Sequence, residues 1–73
     1  MPPERVDARR QAIADRIRAA RLHAGLTQET VALRAEIRIA TYSHIEHGRS
    51  YPRLDTLIRI ADAIGVPLAD LVR

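Results

Sequence analysis

The sequence has no cysteine among its 73 residues, which excludes a disulfide framework and a thiolate metal site. It has no phenylalanine or tryptophan either, so aliphatic side chains and tyrosine must fill the core. No run approaches the ~18 apolar residues of a membrane span, and we expect no signal peptide because the N-terminal stretch MPPERVDARR lacks an apolar segment. These absences leave one small domain that is compatible with a reducing cytosol.

Lysine is also absent, and all twelve cationic residues are arginine, whose planar group suits bidentate contacts with phosphates and base edges. The formal net charge is only +3, but it is unevenly placed. Residues 1–21 carry six arginines against three acids, and residues 38–53 carry three against one. The charge alone fits a solvated basic surface about as well as it fits a nucleic-acid partner.

Apolar residues recur at helical spacing along most of the chain, which predicts an all-α fold with no strand and no repeat. Residues 1–8 are predicted to form a flexible basic N-terminal arm, and residues 9–73 a single domain. The expected helices cover about 8–23, 28–34, 39–47, 54–64 and 68–72, with glycines ending the first, third and fourth.

The stretch from Leu26 to Gly48 predicts two short helices joined by a tight turn. Thr27 is a suitable N-cap for the first helix. Tyr42 and Ile45, at i, i+3 spacing, would face the core from the second helix and leave Ala40, Ser43, His44 and His47 on its opposite side. This arrangement is typical of a helix-turn-helix reader of DNA.

Cations and donors surround the second of these helices. We expect most of the affinity for DNA to come from phosphate contacts, and binding to fall steeply with salt. This region runs from the residue before the second helix to the loop after it. The residues in it that are predicted to contact phosphate are Arg38, His47, Arg49, Ser50, Tyr51 and Arg53. Gln28 adds a donor at the first turn of the preceding helix.

Three segments of the chain resemble the Xre/Cro–cI family of bacterial and phage helix-turn-helix regulators. They read IRAARLHAGLTQETVA, ATYSHIEHG and YPRLDTLIRIADAIGVPLADL, and together the match extends from about Ile13 to Leu71. The resemblance implies a compact five-helix, lambda-repressor-like domain with the helix-turn-helix at its second and third helices. It also implies a cytoplasmic regulator that binds double-stranded DNA, usually as a homodimer on a palindrome.

The resemblance also assigns roles to particular positions. Thr27 and Gln28 would contact phosphate, and Arg21 would form an internal ion pair with Glu46. The base-reading positions would be Ile39, Ala40 and His44, with Thr41 and Ser43 close by.

Three positions depart from the family pattern. Glu36 stands in the turn where the family usually has glycine, so it is either strained at positive φ or the turn is built differently. Arg38 replaces the usual Ser or Thr cap. Ile39 and Ala40 are apolar, so they can contact only a thymine methyl or fill space. We therefore expect a reader that relies on thymine contacts, His44 and DNA shape.

Other functions fit the sequence less well. His44 and His47 lie one helical turn apart but have no third ligand nearby, so we expect no metal and no cofactor. Ser43 and these histidines do not form a nucleophile–base pair, so we expect no enzyme activity. Exposed aromatic residues are too few for an RNA-binding surface.

The main alternative is a protein-interaction module, or an antitoxin that binds both a partner protein and its own promoter. Leu33 would be exposed, either as harmless scatter or as part of a contact with another subunit or partner, to which Leu68, Leu71 and Val72 could also belong. A toxin or RNA polymerase is a possible partner. Val66, Leu68 and Leu71 are the expected dimer contacts, although the last helix could equally close the core of the monomer.

Overall fold

The computed structural model describes residues 2–73 and contains five α-helices, with no strand in that range. They are α1 (Pro3–His23), α2 (Gln28–Ala35), α3 (Ile39–Glu46), α4 (Leu54–Ile64) and α5 (Leu68–Val72). The predicted all-α class is confirmed, and the predicted bounds of α4 and α5 agree with those observed. Within the same residues, no helix combines the length and the apolar character needed to cross a membrane.

The first helix begins at Pro3, so its predicted start near residue 8 is wrong. Proline is favoured in the first turn of a helix because its φ is already helical and its missing N–H would have no partner there. Glu4 adds a negative charge where the helix dipole favours one. The predicted arm is not basic either, since residues 1–8 carry Arg5 against Glu4 and Asp7. Met1, the first residue of that arm, lies outside the described residues.

The turn between α2 and α3 is closed at both ends by local backbone chemistry. Thr27 caps α2 as predicted, since its Oγ1 accepts the N–H of Thr30 at 3.1 Å. Glu36 ends α2 in the left-handed region with φ of 60°, and the N–H of Ile37 donates to the carbonyl of Ala32 at 3.0 Å. The sequence left two possibilities, a strained Glu36 at positive φ or a turn of a different kind. The structure has the first, a turn of the kind that glycine usually forms, with glutamate in the left-handed position.

Substituting Glu36→Gly is expected to stabilise the fold by about 0.5–1 kcal/mol. Glycine removes the clash of a Cβ in the left-handed region, and the greater freedom of glycine in the unfolded chain offsets part of that gain. Urea denaturation would measure the change, with Glu36→Gln as a control that removes only the charge. Gly65→Ala, where φ is 91°, should move stability the other way. An E36G variant no more stable than E36Q would refute strain at this position.

The core lies where all five helices meet. Its largest fully buried side chains are Ile17, Val31, Tyr42, Ile60 and Leu71. The helix α2 packs against α4 and α3, while α1 packs against α3, α4 and α5. The predicted inward orientation of Tyr42 and Ile45 is confirmed, and the single large ring fills the centre of an otherwise aliphatic core.

The last helix closes the core of the monomer. Leu71 is 0% exposed, so its predicted role as a dimer contact is wrong: a side chain enclosed by its own protomer has no surface to offer a second one. Val66 and Leu68 are partly buried and pack against the same core, which leaves them little area for a dimer. Of the two roles that the sequence left open for this helix, the structure supports core closure.

Candidate nucleic-acid interface

The outer face of α3 is free of the rest of the domain. Tyr42, Ile45 and Glu46 point inward and are buried. The five predicted base-reading side chains remain on the surface: Ile39, Ala40, Thr41 and His44 are exposed, and Ser43 is partly buried. The helix thus separates a core face from a face of short side chains and one imidazole, which is the surface a major groove can accommodate.

A buried ion pair fixes the inner side of α3. Arg21 in α1 contacts Glu46 through two parallel hydrogen bonds, Nη2 to Oε1 at 2.6 Å and Nε to Oε2 at 3.0 Å. Its Nη1 also donates to the carbonyl of Leu26 at 2.9 Å, just before α2 begins. One guanidinium therefore links α1, the entry to α2 and the end of α3, and sets the position of the helix-turn-helix on α1.

The electrostatics of this pair favour its charged form. Burial alone would raise the pKa of Glu46, which is only 4% exposed, but the pKa is lowered on balance, and the hydrogen bonds from Arg21 make the largest contribution to lowering it. The hydrogen bond to Glu46 likewise raises the pKa of Arg21. Both groups are therefore ionised at neutral pH, and the pair is a strong, charge-assisted contact.

The two ends of α3 carry exposed groups that can donate to an anion. Arg38 precedes the helix without capping it, so its guanidinium is free of the helix end. At the other end, Nδ1 of His47 lies 2.7 Å from the carbonyl oxygen of Ser43. A carbonyl can only accept, so Nδ1 carries the proton and Nε2 is the acceptor in the neutral ring. His47 can therefore donate to a phosphate through Nε2 only when the ring is protonated.

The entry to α2 is largely committed to its own cap. Besides accepting the Thr30 N–H, the hydroxyl of Thr27 donates to Oγ1 of Thr30 at 2.9 Å. Gln28 is partly buried, with its backbone in the first turn of the helix. At this end of α2, the backbone amides are accordingly the groups best placed to hold a phosphate.

The loop between α3 and α4 carries the other two arginines that were predicted to contact phosphate. Arg49 and Arg53 are exposed, and Arg53 Nε lies 3.5 Å from Asp55 Oδ1 in a weak surface pair. Ser50 is partly buried. The exposed guanidiniums stand on the segment that directly follows α3, so the loop continues the positive surface that begins at Arg38.

Tyr51, predicted to contact phosphate, is held by α1 instead. Its hydroxyl donates to Oδ1 of Asp7 at 2.9 Å, and the guanidinium carbon of Arg10 lies 4.3 Å from the centre of its ring. The hydrogen bond to Asp7 raises the pKa of Tyr51. No sequence pattern predicts the contact of Tyr51 with Asp7, because the two residues are 44 positions apart and no local rule pairs them.

Nothing in the described part of the chain suggests a metal site. Among residues 2–73, the side chains of His, Asp and Glu do not gather in any group of three that could hold a metal ion. The surface chemistry is that of arginines, short polar side chains and backbone amides.

This fold and surface define a helix-turn-helix protein. A family model described as helix-turn-helix matches residues 17–71, and the chain belongs to that family, of the Xre/Cro–cI type. The family predicted from the three sequence segments is thereby confirmed.

Individual relatives agree with this assignment. The HTH-type transcriptional regulator DdrOP3 from Deinococcus deserti is 33% identical over 60 residues, which are 82% of this chain and 46% of that protein. The chain thus spans about half the length of the curated relative that it matches.

Two solved structures have the same fold. The restriction-modification controller protein C.AhdI from Aeromonas hydrophila has a TM-score of 0.84 and 25% identity, covering 88% of this chain and 97% of that one. The clp gene regulator ClgR from C. glutamicum has a TM-score of 0.82 and 25% identity, covering 86% of this chain and 82% of that one.

Proposed function

We propose that this chain is a sequence-specific transcriptional regulator, of repressor or controller type, that reads a palindromic operator in double-stranded DNA as a dimer. One observation carries the proposal: α3 exposes an unoccupied outer face while its inner face is locked to α1 by the buried Arg21–Glu46 pair. A reading helix must be held this firmly to discriminate between bases. The names of the three relatives, a transcriptional regulator, a controller protein and a gene regulator, support the same role.

Base recognition would come from the outer face of α3. Ile39, which is 43% exposed, and Ala40 can contact thymine methyl groups. His44 offers the imidazole that can hydrogen-bond to a base edge, and Thr41 and Ser43 add short hydroxyls beside it. The reader would therefore favour sites containing A·T pairs at the positions facing the start of α3.

Phosphate contacts would supply most of the affinity. Arg38, Arg49 and Arg53 are exposed on both sides of the reading helix, and the amides at the start of α2 add uncharged donors. Three arginines in each protomer give six cations in a dimer, enough to make binding fall roughly a thousandfold between 50 and 200 mM salt.

We place the proposed dimer contact on α4 rather than on α5. Leu54 and Ile58 are 65% and 42% exposed and stand one helical turn apart. Asp55 and Arg59 flank them and form an i, i+4 pair at 3.6 Å. This pattern of charges complements itself when α4 pairs antiparallel with its two-fold copy, so we propose a second copy of this chain as the occupant. Two reading helices would then face major grooves about one helical turn, ~34 Å, apart.

The test is a binding titration on DNA from upstream of this gene, beside a scrambled duplex of equal length, at two salt concentrations. We expect selective binding with a steep salt dependence. His44→Ala should reduce the preference for the operator by roughly ten- to a hundredfold, because a good base contact contributes about 1–3 kcal/mol. Arg38→Ala should weaken binding to both duplexes equally and make the salt dependence shallower.

Two outcomes would contradict the proposal that α3 recognises an operator sequence. If H44A leaves operator discrimination unchanged, the outer face of α3 does not read bases. If the wild-type protein binds both duplexes weakly and equally, only a basic surface remains.

One observation favours a second candidate function, the docking of a partner protein. Leu33 is 80% exposed on α2 and Leu22 is 57% exposed on α1, so both offer apolar area that a partner protein could cover. A toxin or RNA polymerase subunit could cover either side chain. Weak and unselective DNA binding in the titration, together with capture of a partner that Leu33→Ser abolishes, would move this function to first place.

A further inference from the structure

Tyr51 connects the loop after α3 to the first turns of α1 through two contacts, and a third contact joins its two partners to each other. Its hydroxyl donates to Asp7 at 2.9 Å, its ring lies under the guanidinium of Arg10 at 4.3 Å, and Arg10 Nη2 lies 3.4 Å from Asp7 Oδ1. We refer to Asp7, Arg10 and Tyr51 as the brace. Each member contacts the other two, so the geometry of the loop is tied to α1 at one point.

The brace spans an open pocket between α1 and the loop. The pocket has a volume of about 200 Å³ and a mostly apolar lining, which includes Val6 and Ile13 of α1, Pro52 of the loop, and Arg10 and Tyr51 of the brace. Across this pocket, the polar contacts of the brace join α1 directly to the loop.

We propose that Asp7 is a positioning residue for DNA binding: through Tyr51 it fixes the loop so that Arg49 and Arg53 face the phosphates. This proposal rests on the function proposed above. It makes a prediction opposite to that of simple charge, since an acid near a DNA surface would ordinarily weaken binding. In this proposal Tyr51 positions the loop and does not contact phosphate as predicted, because its single hydroxyl proton is donated to Asp7.

Two substitutions of equal charge test the proposal. Asp7→Ala and Asp7→Asn both raise the formal net charge from +3 to +4, but only asparagine keeps an oxygen that can accept from Tyr51. The Asp7 side chain is 57% exposed, so neither change removes buried material. We expect D7A to bind operator DNA roughly three- to tenfold more weakly than D7N, and its salt slope to be smaller by about one phosphate per protomer. Tyr51→Phe, which keeps the ring on Arg10, should behave like D7A.

Amide hydrogen exchange of residues 49–53 in the free protein gives an independent reading of the brace. We expect faster exchange in D7A and Y51F than in D7N and the wild type. Equal affinities and salt slopes for D7A and D7N would overturn the proposal, and so would tighter DNA binding by D7A than by D7N. Either result would do so whatever the rates of hydrogen exchange are. A wild-type protein that binds no duplex selectively would reject the proposed function instead, and hydrogen exchange would still show whether Asp7 holds the loop.

Discussion

Replacing Arg21 by leucine is expected to lower the free energy of unfolding by about 3–5 kcal/mol, the typical cost of removing one partner from a buried ion pair. Glu46 would remain 4% exposed and charged, without the two hydrogen bonds that compensate its burial. A domain of this length has a total stability of only roughly 4–11 kcal/mol, so the variant would be close to unfolding at room temperature.

Urea denaturation followed by circular dichroism at pH 7 would measure the loss. The double variant Arg21→Leu with Glu46→Leu is the matched control, because it removes the stranded charge as well. It should be markedly more stable than R21L alone, since apolar replacement of a whole buried pair is often nearly neutral.

The pH dependence of the two proteins gives a further check with a definite sign. In the wild type the pKa of Glu46 is lowered, so its contribution is present above the unfolded-state pKa and is lost as pH falls through the folded-state pKa. In R21L the hydrogen bonds and charge of Arg21 no longer oppose burial, so the pKa of Glu46 should rise above its wild-type value. Protonation of Glu46 at low pH then removes part of the destabilisation of the variant. The stability difference between the two proteins should therefore shrink as pH falls from 7 towards about 4. A small loss that stays constant with pH would show that the pair does not hold the fold.

If the chain dimerises through α4 as proposed, replacing Ile58 by aspartate is expected to give a monomer and to weaken binding to a full palindromic operator by about 10²–10⁴-fold. The substitution places two like charges at the centre of the proposed α4 contact, where each would be desolvated against the other. Binding to a half-site should hardly change, because the reading helix and its phosphate contacts belong to a single protomer. The loss on the palindrome is thus the loss of the second, effectively intramolecular, contact.

Light scattering after size exclusion would determine the mass, and parallel titrations on full-site and half-site duplexes would separate association from recognition. Leu33→Asp introduces the same charge at another exposed leucine, on α2, and should leave the dimer intact. If I58D remains dimeric, α4 is not the interface. If it is monomeric but binds the palindrome as tightly as the wild type, the operator is not read by a dimer.

Several features of the fold follow from residues that are neighbours in the chain, and these could be predicted without a structure. Thr27 caps α2 because a hydroxyl at that position reaches an amide three residues on, and Gly65 ends α4 because glycine adopts positive φ without a Cβ clash. Tyr42 and Ile45 face inward because their spacing puts them on one side of α3. Such local rules were sufficient to predict the five helices, the helix-turn-helix and its exposed face.

Which distant residues meet, and how much surface each one keeps, depends on how the five helices pack against one another. Helical spacing places Leu71 on the apolar face of α5 but does not show whether that face contacts the core or a second protomer. The packing of α5 on α1 and α4 buries Leu71 completely. The same packing leaves Leu54 and Ile58 exposed although they are equally apolar. The contact of Asp7 with Tyr51 joins residues 44 positions apart, and it exists because α1 continues back to Pro3 and passes the loop. Spacing along one helix specifies a face, whereas the arrangement of all five helices specifies what that face touches.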